Sequence, residues 1–145
     1  MANPQIPQGN LNRLIASVVW NDFPALNVTP SFLGKAGISL AFDGVATTFI
    51  PTMTGAVTSG EPYQLTTITI NLLKTQGLAQ QYEAQRQSLS TIGNCVVRPD
   101  TTTLGPYDII NCGIENVREL SFSGEDAAYA VTIRGYILLN SQAWG

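Results

Sequence analysis

Apolar and polar positions alternate along most of this chain, and the period changes once. In YQLTTITINLLKT, Thr67, Thr69 and Asn71 fall on one parity and Ile68, Ile70 and Leu72 on the other. That is the period of a strand with one buried face, and it predicts a strand over residues 63–73. After Gly77 the larger apolar side chains move to Leu78, Tyr82 and Leu89, with Gln, Glu and Arg between them. This spacing suits one stripe of a short helix over about residues 77–90, with Thr75 as its candidate cap and Gly93-Asn94 as its close.

The flanking segments read as β. LNRLIASVVW places Leu14, Ala16, Val18 and Trp20 on one parity, predicting a strand across residues 11–20. ISLAFDGVATTFI carries two β-rich runs around Asp43-Gly44, a dipeptide that supplies the positive φ angles of a tight turn, so a hairpin is expected over about residues 37–50. Residues 51–62 hold Pro51, Gly55, Gly60 and Pro62 and either continue the second strand past a bulge or form a long loop. CVVRPD reads as a short strand stopped by Pro99, YDIINCGIENVREL as an extended run kinked near Gly113, and YAVTIRGYILL as a long closing strand. Strands before and after one helix, without βαβ alternation, predict a mainly β fold. The expected form is an antiparallel β-sandwich or open barrel with one short α-helix, in a single domain spanning residues 1–145. Residues 1–10, with Pro4, Pro7 and Gly9, are expected to form an irregular arm, and residues 141–145 a tail.

Composition sharpens the picture at two points. The 145 residues are 44% hydrophobic and only 12% charged, about half the usual charged share, so polarity is carried by Thr, Ser, Asn and Gln. Either much of the surface meets other protein, or Thr and Ser simply suit a β-rich domain. Seven Lys and Arg against ten Asp and Glu give a net charge of −3, without a basic cluster, which argues against gripping nucleic acid through its phosphates. The first residues lack a basic start and apolar run, and no stretch nears the ~18 apolar residues of a membrane span. The expectation is therefore a protein made and kept in the cytoplasm, or exported by a route not visible here, without membrane insertion. Cys95 and Cys112 are either two buried thiols or one disulfide; a cytoplasmic setting favours thiols.

Chemistry-bearing motifs are sparse. Histidine is absent, which removes Ser-His-Asp and Cys-His catalysis and the usual zinc ligand sets. Neither GxxxxGK[ST] nor GxGxxG occurs. Glu125-Asp126 reads as a solvated turn, and Glu115, Arg118 and Glu119 as surface pairing. No catalytic, cofactor-binding or metal-binding residue is assigned, and a non-enzyme is expected. The aromatics Trp20, Tyr63, Tyr82, Tyr107, Tyr129 and Tyr136 spread over every element, as core and interface packing requires; a sugar-stacking face is the other reading. Trp144, near the chain end, is a candidate for docking on a neighbouring subunit.

In order and pattern, the DG-centred β pair, YQLTTITINLLKT, the helix GLAQQYEAQRQSL, CVVRPD and YAVTIRGYILL together resemble the tail tube proteins of bacteriophages, especially contractile-tailed ones. The resemblance covers roughly residues 11–140 and is most specific in TTITINLLKTQGLAQQY. KTQG stands where that helix usually begins with Ser-Pro or Ser-Asn. The resemblance implies a self-assembling structural virion protein, related also to type VI secretion inner tubes. In tail tube proteins six subunits form a ring whose inner strands join into one multi-subunit β-barrel, and rings stack into a channel for genome ejection; the resemblance implies the same assembly here. Implied partners are further copies of the chain and sheath, baseplate and tail terminator proteins, with DNA passing through unbound. Tail terminators and baseplate hub components share the implied fold, and a monomeric carbohydrate-binding or adhesin-like β-sandwich is the rival from another class.

On that resemblance Thr67, Thr69 and Asn71, or the polar parity of the DG hairpin with Ser39, Ala41 and Thr47, line the lumen. Ile68, Ile70, Leu72, Leu78 and Tyr82 form the core under the helix, Glu83 and Arg86 face outwards to a sheath, and Trp144 contacts another subunit. The N-terminal arm, residues 51–62 and the tail are the implied contacts between rings.

Overall fold

The computed structural model describes residues 8–143. Its strands are β1 (Ser17–Trp20), β2 (Leu33–Asp43), β3 (Thr47–Pro51), β4 (Ala56–Gly60), β5 (Tyr63–Leu73), β6 (Thr91–Arg98), β7 (Tyr107–Val117) and β8 (Ala128–Leu138), with one α-helix, α1 (Gly77–Ser88), between β5 and β6. Short 3₁₀ turns occupy Pro24–Leu26, Pro30–Phe32 and Ser141–Ala143. The fold is mainly β: six strands in the order β1-β6-β7-β8-β5-β2, antiparallel throughout, curl into a half-barrel, while β3 and β4 pair only with each other.

Alternation in β5 does what its sequence implies. Ile68, Ile70 and Leu72 are fully buried, and α1 lays Leu78, Ala79 and Tyr82 into the same core. Val131 and Ile133 of β8, Ile109 and Ile114 of β7, and Val18 and Trp20 of β1 complete it. Removing a side chain of this size from water contributes roughly 1.5–3 kcal/mol, so the buried row of β5 is one of the main holds between sheet and helix. Tyr82 bridges the helix to the N-terminal third: its hydroxyl donates to the Leu26 carbonyl at 2.6 Å and accepts from Trp20 Nε1 at 3.0 Å. Gly135, on the core side of β8, leaves the space its neighbours occupy, since a Cβ there would stand 2.5 Å from Ile109 Cγ2.

Several local expectations are corrected. The Asp43-Gly44 step does not close a hairpin. β2 pairs with β5 and β3 with β4, and Gly44, at φ +84, marks where the chain leaves one sheet for the other. The cause is competition: Asp43 is held to the large sheet by Thr67 and Arg134, while Thr52 N–H donates to Gly55 O and closes a turn eight residues on. Residues 51–62, left open between strand and loop, thus hold the second half of the β3–β4 hairpin.

The first strand covers Ser17–Trp20 only, because Asn12 caps a turn through Leu14 N–H and leaves Leu11 and Leu14 exposed. The cap of α1 is Gln76, not Thr75, and the helix stops at Leu89, which is exposed and outside the buried stripe. Gly93 lies inside β6, at φ +79 beside a bulge, and ends no helix.

Candidate functional site

Chemistry that could act on another molecule lies on three surfaces. The first is the face of the large sheet opposite the helix. Register aligns Ser39, Thr69 and Thr132 in one row, and Ala41, Thr67 and Arg134 in the next. Antiparallel pairing places such residues side by side, so the alternating Thr pattern of β5 becomes part of a polar patch four strands wide. Arg134 Nη2 donates to Asp43 Oδ2 at 2.9 Å, and its Nε lies 3.3 Å from Glu115 Oε2. Thr67 Oγ1 donates to the same Asp43 oxygen at 2.8 Å. The patch's cation is thus flanked by two carboxylates, and this cluster carries a net charge of one negative.

Of the residues expected on that face, Ser39 is open, and Thr67 and Thr69 are half-buried beside it. Asn71 does not belong to an open surface: it is 8% exposed, and its Nδ2 donates to the Gly37 carbonyl at 3.0 Å. Thr47 sits on the separate β3–β4 hairpin opposite Gly60, away from the Ser39–Thr69 row. A bulge in β2 between Leu33 and Ile38 brings Gly37 over Asn71, which parity alone does not reveal.

The second surface is the β3–β4 hairpin itself. Phe49 is 66% exposed, and Ile50, Val57 and Met53 are exposed beside it. The hairpin is fastened at its base by Asn140 Nδ2, which donates to the carbonyls of Glu61 and Ala46, and by Thr48 Oγ1 to Glu61 at 2.8 Å. A two-stranded ribbon with apolar residues in water on both faces is marginal by itself.

The third surface is the outer edge of β2. The opposite edge of the sheet, β1, is blunted because Val18 exchanges both backbone hydrogen bonds with Val28. Among the described residues β2 has no strand on its outer side, so Ile38–Asp43 presents a regular row of unpaired backbone groups. Beside it an open cleft of about 780 Å³ runs towards the end of β6, lined by Leu14, Ile38, Leu40, Phe42, Val97 and Tyr107. Phe42 and Tyr107 meet edge-to-face across it at 5.8 Å between ring centroids.

On the helix, Glu83 and Arg86 are half-buried and paired with each other. Glu83 also accepts from Tyr129 Oη and Gln87 Nε2. The Tyr129 hydrogen bond, then Arg86, holds the Glu83 carboxyl below its ordinary range. Burial first, then the bond to Glu83, pushes the Tyr129 hydroxyl up to about 12. Glu83 is therefore tied to the sheet, and exposed Gln80, Gln81 and Gln87 carry the polar outer face. Trp144 lies outside the described residues.

Among the described residues no group of three or more His, Cys, Asp or Glu side chains is placed to hold a metal ion, and no helix is long and apolar enough to cross a membrane. Sequence reasoning missed the Asp43–Arg134–Glu115 cluster and the β2 edge, since both arise from pairing between distant strands. The hairpin had a local signal in the Thr- and Gly-bearing turn Thr52-Met53-Thr54-Gly55 between two short β-prone runs.

Fold and surfaces together define a mainly β protein whose large sheet, among the described residues, is open at its β2 edge, with a projecting apolar hairpin and a polar sheet face. No family model matches the chain, and no curated protein matches it.

Proposed function

We propose that this protein is a structural subunit of a bacteriophage tail tube, assembling through its own copies into six-membered rings that stack into a channel for DNA. The observation that carries the reading is the asymmetry of the large sheet: among the described residues β1 is sealed by Val28, whereas β2 keeps an open edge. An open edge in a soluble β protein is an aggregation hazard unless a defined partner covers it, and joining strands of successive subunits into a closed barrel removes it. The exposed Phe49, Ile50, Met53 and Val57 give a second apolar contact for a neighbouring copy; Met53 and Val57 fall in residues 51–62, which the family resemblance assigns to contacts between rings, and Phe49 and Ile50 directly precede them.

The polar sheet face suits a channel lining. Its Thr and Ser hydroxyls bond water, and its Arg134 is held by Asp43 and Glu115, leaving no free cation in that cluster to trap phosphate. The Gln-rich outer face of α1 is then directed at a sheath, as in a contractile tail, and baseplate and terminator proteins cover the tube's ends. The aromatic side chains favour this over a glycan platform, because Trp20, Tyr82 and Tyr129 are buried and Tyr63–Tyr136 and Phe42–Tyr107 meet edge-on.

Negative-stain electron microscopy of the purified full chain at high concentration tests the reading. Hollow tubes or six-fold rings are expected. A monodisperse monomer at every concentration would overturn it, and a monomer stabilised by glycans would establish the carbohydrate-binding alternative.

A further inference from the structure

β6 and β7 bring two thiols together in the core. Cys95 and Cys112 are at most 1% exposed, and their Sγ atoms stand 3.7 Å apart. They are not directly opposed in the ladder, for Cys95 pairs with Ile109 and Cys112 with Gly93. Backbone irregularity makes up the difference. The register shifts between Gly93 and Cys95, Gly93 lies at φ +79, and Asn111, immediately before Cys112, lies at φ 56. Bulges of this kind bend a strand and re-aim its side chains, here sulfur towards sulfur. Gly135 behind the pair is the second device, because a Cβ there would stand 2.9 Å from Cys112 Sγ. Glycine at that position leaves the sulfur its place.

We propose that Cys95 and Cys112 form a modification site, a dithiol that closes to an intrachain disulfide and fastens β6 to β7. Each Sγ–H bond breaks, one Sγ–Sγ bond forms, and two protons and two electrons pass to the oxidant. A diazene oxidant takes them up as a hydrazine; a low-molecular-weight disulfide takes them up as two thiols. The sulfurs must close from 3.7 Å to about 2.05 Å. The interrupted ladder on both sides gives the two strands room to make that shift and gives a small oxidant its entry by local opening. The bond then closes the loop through residues 99–106 that joins the two strands.

The test uses the full wild-type chain, oxidised with diamide under native conditions, then denatured and titrated with a maleimide before intact-mass measurement. The expected result is a fall from two reactive thiols to none, in a monomer lighter by two hydrogens, with Tm raised by roughly 5–10 °C and restored by dithiothreitol. Cys95→Ser should keep one reactive thiol and show no rise in Tm. Two thiols still reactive after treatment, disulfide-linked dimers, mixed adducts, or oxidation confined to denatured samples would each overturn the site. An intrachain bond that lowers Tm would overturn the fastening role. None of these outcomes depends on whether the chain assembles into tubes.

Discussion

Replacing Tyr82 with Phe removes one oxygen atom and leaves the ring that packs beneath α1. That oxygen is the acceptor for Trp20 Nε1 at 3.0 Å and the donor to the Leu26 carbonyl at 2.6 Å, and Tyr82 itself is 1% exposed. Without it an indole N–H and a backbone C=O stay buried with no partner in reach. An orphaned buried group costs about 1–3 kcal/mol, and loss of the tyrosine's own desolvation offsets part of the total, so Tyr82→Phe should lose about 2–4 kcal/mol. Against the 5–15 kcal/mol typical of a domain this is a large share, equivalent to a Tm fall of roughly 5–15 °C. Urea unfolding followed by tryptophan fluorescence measures it. The midpoint should fall while the m-value stays constant, because the change removes interactions without altering the surface exposed. A loss below about 0.5 kcal/mol would refute the reasoning, since it would mean that the hydroxyl does not join helix, β1 and the 3₁₀ turn into one buried network.

Three further outcomes follow from the same geometry. Ile70→Asp places an unpaired carboxylate at a fully buried position of β5 and should abolish soluble folding, a cost above about 4 kcal/mol; a soluble, cooperatively unfolding variant would show that the faces of β5 are reversed. Phe49→Asp with Ile50→Asp should leave monomer stability within about 0.5 kcal/mol by calorimetry while abolishing tubes or rings in the microscope; an unfolded variant would instead mean that the hairpin packs on its own subunit. Burial raises the folded-state pKa of Tyr82 and brings Tyr129 to about 12, whereas unfolded tyrosine ionises near 10. The unfolded state therefore releases protons first, so stability is intact below pH ~10 and falls as pH rises from there towards ~12, with tyrosinate absorbance tracking unfolding; flat stability across that window, with these tyrosines ionising near pH ~10 in the folded protein, would contradict the buried placement.

Local sequence was most informative where one physical rule acted alone. The alternation of residues 63–73 determined β5, its bounds and its buried parity, because a strand with one face in the core has no other way to satisfy Ile68, Ile70 and Leu72. The change of period after Gly77 determined α1 and the burial of Leu78 and Tyr82, since a helix of about three turns laid on a sheet needs only a narrow stripe. The absence of histidine and the shortage of charge were likewise legible from the chain itself.

Tertiary structure decided whatever depended on a choice between partners. Asp43-Gly44 is a sound local turn signal, yet β2 leaves it unused as a hairpin, because pairing with the eleven-residue β5 packs Ile38 and Leu40 against the core and ties Asp43 to Thr67 and Arg134. The hairpin moved downstream to Thr52–Gly55, where no longer strand competed. Asn71 has the right parity for an open face but is covered by a bulge four residues from the start of its partner strand. The Asp43–Arg134–Glu115 cluster joins residues far apart in the chain, and Cys95 reaches Cys112 only through irregular register. Periodicity reports which side of a strand is apolar; which strand lies beside it, and therefore which edge stays open, is set by the summed burial and hydrogen bonding of the whole sheet.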